Sequence, residues 1–143
     1  MAIFRDASPG DETAIATLIQ DLAQSMGETS PIAPDFVSTY LAFPGCHILL
    51  AVEHGQIVGL LSYSIRPNLY HSGDTALIEE LIVRSGWRGQ GVGGMLLEAL
   101  LARLKESGCV EVSVTTLPDN QGAIRFYRTH GLMDEALYLE KHL

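Results

Sequence analysis

Leu77-Ile78-Glu79-Glu80-Leu81-Ile82-Val83, then Arg84-Ser85-Gly86-Trp87, then Arg88-Gly89-Gln90-Gly91-Val92-Gly93-Gly94, is the stretch on which the reading of the fold turns. Its first part continues an apolar run from Thr75 and reads as a long strand ending at Val83. Ser85 to Gly91 is rich in glycine. Beyond it Met95, Leu96, Leu97, Ala99, Leu100, Leu101 and Leu104 form an apolar helical stripe, taken as core and closed by Gly108. A strand therefore runs into a glycine-rich turn that opens a helix. The first N–H groups of such a helix have no intrahelical partner, and the helix dipole makes that end positive. Glycine lets a ligand approach the backbone closely and Arg88 adds a fixed charge, so the stretch predicts a phosphate or pyrophosphate site.

Gly89-x-Gly91-x-x-Gly94 also satisfies the dinucleotide fingerprint, which is weak evidence alone. A dinucleotide fold carries that motif in its first strand–helix unit and continues with further βαβ units. Here too little chain follows for that series. A P-loop is excluded, because no Gly-Lys-Ser or Gly-Lys-Thr triplet occurs.

Outward from this stretch the elements alternate. Ile3 to Ala7 reads as a first strand, and Ser8 or Asp11 is placed to cap the helix that follows. Ile15, Leu18, Ile19 and Leu22 give that helix its apolar stripe, and Met26-Gly27 ends it. A loop runs from Gly27 to Pro34, and a second short helix, carrying Phe36, Val37, Tyr40 and Leu41, stops at Pro44-Gly45. His47 to Glu53 and Gln56 to Ile65 flank a His54-Gly55 turn and read as a hairpin. Arg66 to Asp74 reads as a polar loop. Val110, Val112 and Val114 alternate as a strand, and Ala123 to Tyr127 lies in a helix ending near Gly131. Leu137 to Lys141 reads as a last strand. There is no repeat, low-complexity tract or linker, so residues 1–143 are expected to form one mixed α/β domain.

The 143 residues suffice for one core. Apolar residues make up 47% and charged residues 18%, a globular composition. The net charge of −8 disfavours nucleic acid as a partner and favours a cationic one, unless it serves only solubility. No apolar run reaches the ~18 residues of a membrane span, and no membrane partner is expected. The N-terminus shows no basic segment followed by a long apolar stretch, so the cytoplasm is the expected compartment. Cys46 and Cys109 are far apart, form no C-x-x-C pair and are expected to be free buried thiols, with no zinc site.

Two segments carry a family resemblance. Arg88-x-x-Gly91-x-Gly93, after the strand ending Leu81-Ile82-Val83, resembles the acetyl-coenzyme A motif of the GCN5-related N-acetyltransferases. Asn120-x-x-Ala123-x-x-Phe126-Tyr127-x-x-x-Gly131-Leu132 resembles that family's C-terminal motif, with Leu132 in a slot usually held by phenylalanine. Many members have a polar or basic residue after Gly93, where this chain has Gly94. The resemblance covers the second half of the chain; the first half fits the family's β–α–α–β–β opening loosely. It implies a central mixed, mostly antiparallel sheet flanked by helices, acetyl-CoA as co-substrate, no metal, and a homodimer.

The resemblance also implies residue roles. Glu79 matches a general-base position, while Leu77 stands at another base position and, being apolar, cannot serve. The alternative is that Glu79 only attracts the amine. Strand alternation sends Glu79 and Glu80 to opposite faces, one toward the substrate cleft. The Leu81 N–H matches the oxyanion donor, with Ile82 and Val83 completing the strand that faces the pantetheine arm. Arg88, Gly89, Gln90, Gly91, Val92, Gly93 and Gly94 match the pyrophosphate loop. Tyr127 matches the acid that protonates the leaving thiolate, its alternative being plain core packing. Asn120 matches a pantetheine contact, its alternative being a helix cap. Tyr70 and His71, with Glu80, are candidates for acceptor binding, or else surface residues. His47 and His54 are expected to have no catalytic role, and Trp87 to pack beside the loop.

Proton removal from an alkyl amine is what calls for such a base at neutral pH. The expected reaction is acetyl transfer to a primary amine of a small molecule; His47-Ile48-Leu49-Leu50 to Gly59, and Leu69-Tyr70-His71 before Ile78-Glu79-Glu80-Leu81, also resemble bacterial aminoalkylphosphonate acetyltransferases, and the same region is similar to polyamine and aminoglycoside acetyltransferases. The same residues leave open a protein or peptide acceptor, or a non-catalytic coenzyme A sensor.

Overall fold

Tight turns at His54-Gly55 and between Asn68 and Gly73 set up two long antiparallel pairings, and the remaining elements are laid over them. The computed structural model describes residues 1–143. The order is β1 (Ile3–Asp6), α1 (Glu12–Ser25), α2 (Pro34–Ala42), β2 (Cys46–Glu53), β3 (Gln56–Asn68), β4 (Gly73–Val83), α3 (Val92–Ser107), β5 (Glu111–Val114) and α4 (Gln121–Thr129). The sheet order is β1-β2-β3-β4-β5. All neighbours are antiparallel except β4 and β5, which run parallel after the α3 crossover. The mixed α/β class expected from the sequence is the one observed.

Strand alternation divides the core in two. Ile48, Leu50, Leu60 and Ile82 lie on one face and pack against Ile15, Leu18 and Val37 of α1 and α2. Leu49, Leu61, Ala76 and Ile78 lie on the other and pack against Leu96, Leu97, Leu100 and Leu104 of α3. Each such fully buried leucine or isoleucine contributes roughly 1.5–3 kcal/mol of transfer free energy. Met95, expected in the α3 stripe, is 43% exposed and lies off it. Asp11 stands at the N-cap of α1 without a side-chain cap bond, because its carboxylate accepts from Arg5 at 2.8 and 3.0 Å and from the Ser8 N–H at 2.8 Å.

Two sequence expectations are corrected. Arg66 to Asp74 is not a loop. The β3–β4 ladder runs on through Arg66 opposite Thr75 and Asn68 opposite Gly73, leaving only Leu69 to Ser72 as the turn. Leu137 to Lys141 forms no strand. Leu137 is 84% and Leu139 82% exposed, and a strand needs both a ladder partner and a surface to bury against.

The ladder contains one irregularity that matters for function. Ser62 stands opposite Glu80 and Tyr63 opposite Ile78, so Glu79 has no residue across from it. This is a β-bulge, one extra residue on β4.

Gly59 on β3 shows how closely α3 lies on the sheet. A Cβ there would come within 3.1 Å of both the Ile82 carbonyl oxygen and Leu96 Cδ1. Gly59→Val should therefore destabilise the protein by roughly 1–3 kcal/mol through overpacking against backbone. Urea denaturation measures it; an unchanged midpoint would show that α3 can move off the sheet at little cost.

Candidate active site

The bulge at Glu79 undoes the strand alternation expected for the two carboxylates. Both turn to the face covered by α1 and α2. The Tyr40 hydroxyl, on α2, lies 3.4 Å from Glu79 Oε2 and 3.4 Å from the Tyr63 carbonyl oxygen. The Ser62 hydroxyl donates to Glu80 Oε1, and the Glu80 N–H donates to Ser62 Oγ at 3.0 Å. Burial, and secondarily the charge of Glu79, push the Glu80 carboxyl above its ordinary range, against the Ser62 bond. Burial and then Glu79 likewise push the Tyr40 phenol and the Cys46 thiol upward, so both stay protonated at neutral pH.

β4 also loses its second neighbour at this point. Its parallel pairing with β5 runs only from Thr75 opposite Glu111 to Ile78 opposite Val114. From Glu79 to Val83 that edge of β4 is open. The Glu80 N–H points toward β3, as its bond to Ser62 shows, and the Arg84 N–H reaches the Val58 carbonyl of β3 at 2.8 Å. Alternation then turns the N–H and C=O groups of Leu81 and Val83 to the open edge and those of Ile82 inward. The Val83 carbonyl accepts from Arg88 Nε at 3.0 Å.

The open edge leads to the start of α3. Gly89 and Gly91 have φ of 79° and 81°, a region that favours glycine. The first backbone bond of α3 runs from the Met95 N–H to the Gly91 carbonyl at 3.0 Å, with no side-chain cap. The N–H groups of Val92, Gly93 and Gly94 are therefore available to an anion. Gln90 folds back, its side-chain amide donating to the Gly86 carbonyl at 3.4 Å. A cavity of about 220 Å³ joins the loop at Arg88 and Gly91 to Val83, Trp87 and Phe126. Another, of about 380 Å³, lies between the last turns of α1 and the segment from Ile82 to Ser85, and Arg88 lines both. Gly94 has a packing reason: a Cβ there would meet His130 Nε2 at 3.3 Å, and His130 Nδ1 is held 2.6 Å from Glu98 Oε1.

Tyr127 approaches from the other face of the sheet. It packs with Phe126 against the α3-side core, ring centroids 5.1 Å apart. Burial raises its phenol above the ordinary value, and its hydroxyl makes no hydrogen bond within the protein. Asn120 caps α4, its Oδ1 accepting from the Ala123 N–H at 3.1 Å, which leaves its amide NH₂ free. No group of three or more His, Cys, Asp and Glu side chains is arranged to hold a metal, and no helix is long and apolar enough to cross a membrane.

Tyr70 and His71 are not brought to this site. They sit at the tip of the β3–β4 hairpin, and the six residue steps from Gly73 to Glu79 span about 20 Å of strand. Tyr70 is 93% exposed, and His71 Nε2 lies 3.1 Å from Glu111 Oε2 at the start of β5. The extension of the ladder through Arg66 to Asp74 carries them away. Tyr40, Ser62 and Cys46 do belong to the site and were not selected from the sequence. Tyr40 reads there only as one apolar position of a short helix, and the contact that gives it a role lies 39 residues away.

These features define a mixed α/β protein with an uncapped, glycine-rich helix start beside an unpaired strand edge and two carboxylates. Residues 15–132 match the acetyltransferase (GNAT) family model, and the chain belongs to that family and is an acetyltransferase. It is 28% identical over 128 residues to the aminoalkylphosphonate N-acetyltransferase of Salmonella typhimurium, covering 90% of this chain and 82% of that one. It is 32% identical over 85 residues to the L-2,4-diaminobutyric acid acetyltransferase of Nocardia farcinica, covering 59% of this chain and 42% of that one. A crystal structure from Bacillus halodurans, described as a transcriptional regulator, superposes with a TM-score of 0.88 at 26% identity over the whole of both chains.

The raised Glu80 carboxyl has a consequence for stability. A carboxyl whose folded-state pKa lies above its unfolded value makes the folded state bind more protons, so its contribution is lost as pH rises from the ordinary glutamate value upward. Glu80→Gln removes that titration. The variant should therefore gain stability relative to wild type between about pH 4.5 and pH 8. Urea denaturation at the two pH values checks this; a constant difference would mean that Glu80 ionises normally.

Proposed function

We propose that this acetyltransferase moves an acetyl group from acetyl-CoA to a primary amine of a small molecule, by direct attack through a tetrahedral intermediate. The observation that carries this reading is the open edge of β4, where the free Leu81 N–H adjoins two carboxylates on one face, with Tyr127 contributed from the other. Acetyl-CoA supplies a thioester carbonyl and a thiolate leaving group. The free N–H groups of Val92, Gly93 and Gly94, with Arg88, hold its pyrophosphate. The Leu81 and Val83 edge takes its pantetheine arm as an added strand, and the Asn120 amide has a free donor for the same arm.

The chemistry then divides between the two faces of β4. Glu79 takes the proton of the amine, directly or across one water. The Leu81 N–H donates to the oxygen on which negative charge develops. Tyr127, protonated and without an internal partner, gives its proton to the departing thiolate. Tyr40 holds Glu79 from α2, and buried Glu80 adds negative charge that favours a cationic acceptor. The Salmonella and Nocardia relatives are named for small amine substrates, which supports a small-molecule acceptor here. The free thiols of Cys46 and Cys109 suit the reducing cytoplasm.

Replacing Glu79 by Gln keeps the shape and removes the base. It should lower kcat/KM on an amine acceptor by about 10²-fold or more near neutral pH, and the deficit should shrink as pH rises and more amine is already neutral. Tyr127→Phe should lower kcat with little change in the KM for acetyl-CoA. A Glu79→Gln deficit that is flat with pH and vanishes in added salt would leave that residue only an electrostatic role.

We also propose a homodimer, supported by the unpaired outer edge of the four-residue strand β5 and by the exposed Leu137 and Leu139 of the tail. Light scattering at micromolar concentration should give twice the chain mass of 15.5 kDa; a monomer mass would contradict it.

A further inference from the structure

Arg66 is unexplained by anything above. Ile65 beside it packs against the α3-side core, so alternation sends Arg66 to the opposite face, in line with Ser64 and Ser62. That is the face of Glu79 and Glu80. The register places Glu80 opposite Ser62, Leu77 opposite Ser64 and Thr75 opposite Arg66. Ser62 and Arg66 are four residues apart, about 13 Å along the strand, and an arginine side chain reaches back over about half of that. The floor between them is Ser64 and the partly exposed Leu77, with half-buried Cys46 opposite Ser64. Arg66 is exposed and makes no hydrogen bond or ion pair.

The surrounding charge makes this position unusual. No lysine or arginine occurs between Arg5 and Arg66, so α1, α2 and β2 contribute none, while Asp21, Glu28 and Asp35 lie within that stretch. Arg5 is neutralised by Asp11. Arg84 and Arg88 stand at the other end of β4, beside the phosphate loop. Arg66 is therefore the one free arginine at the hairpin end of the acceptor face, Arg84 and Arg88 lining the cavity against α1 at the other end. A simple amine has no use for a cation there. A molecule with an amine at one end and an anionic group at the other matches both ends.

The geometry points to a zwitterionic acceptor: its amine lies against Glu79 and Glu80, and its carboxylate or phosphonate is held by Arg66 several bonds away. This rests on the acetyl-transfer reading and names the substrate class of that site. Arginine suits the role because its planar fork binds either kind of oxyanion through paired hydrogen bonds.

The test compares acceptors of similar length, 4-aminobutyrate, 3-aminopropylphosphonate, butylamine and 1,4-diaminobutane, by thiol release from acetyl-CoA. Wild type should prefer the two zwitterions, and the better of them identifies the anionic group. Arg66→Ala, with an unchanged Tm, should raise the zwitterion KM about tenfold or more and leave butylamine kinetics as they were. Arg66→Lys should restore part of the loss, and Arg66→Glu should favour the diamine. Equal use of butylamine and zwitterions by wild type, or an equal Arg66→Ala effect on every acceptor, overturns the zwitterion. Binding of acetyl-CoA with acetylation of no amine overturns the parent reading and this inference together.

Discussion

β4 keeps its β3 partner to its end but loses β5 after Ile78. Backbone N–H and C=O groups are obligatory hydrogen-bonding groups. An interior strand with five residues unpaired on one side must give those groups to water or to a ligand. Leu81 and Val83 present theirs to that gap, and the glycine-rich start of α3 lies at the far end of the same strand. The Val83–Arg88 bond ties the two together. Strand edge, glycine-rich loop and cavity thus adjoin one another where that pairing is interrupted.

The bulge at Glu79 supplies the second constraint. One extra residue on β4 breaks the two-residue period and brings neighbouring carboxylates to one face. Placing two acids together has an electrostatic cost, met partly by the Ser62 and Tyr40 hydroxyls and partly by the raised pKa of Glu80. The two faces of the sheet then differ in chemistry. The α1–α2 face carries the acids and Arg66, and the α3–α4 face carries Tyr127 on an apolar bed. In the proposed reaction Glu79 and Tyr127 act from opposite sides of the open edge, on attack and departure at one carbonyl carbon.

The strand–turn–helix from Leu77 to Leu104 was legible in the sequence because its signals are local: β-branched residues, glycines, then a helical leucine stripe. The α4 motif from Asn120 to Leu132 was legible by resemblance. The bulge was not, since it depends on how β4 is registered against Ser62 and Tyr63 and leaves no mark within Leu77 to Val83. Tyr40 was missed for a related reason, its role arising from a contact across the fold. Pro67, Asn68 and Gly73 are ordinary loop signals, and the long ladder overrode them between Arg66 and Thr75. Leu137 to Lys141 reads as a strand, but its own chain offers that segment no partner. Residue pattern reports local preference, whereas register and partnering are properties of the assembled sheet.

The claim on which the account rests is that the open edge of β4 receives the coenzyme as a strand. Hydrogen exchange resolved by amide, without and with coenzyme A, tests it most directly. The Leu81 and Val83 amides should exchange fast in the free protein and become protected on binding, while the β3-facing Ile82 amide stays protected throughout. Coenzyme A binding that leaves the Leu81 and Val83 amides unprotected would contradict it.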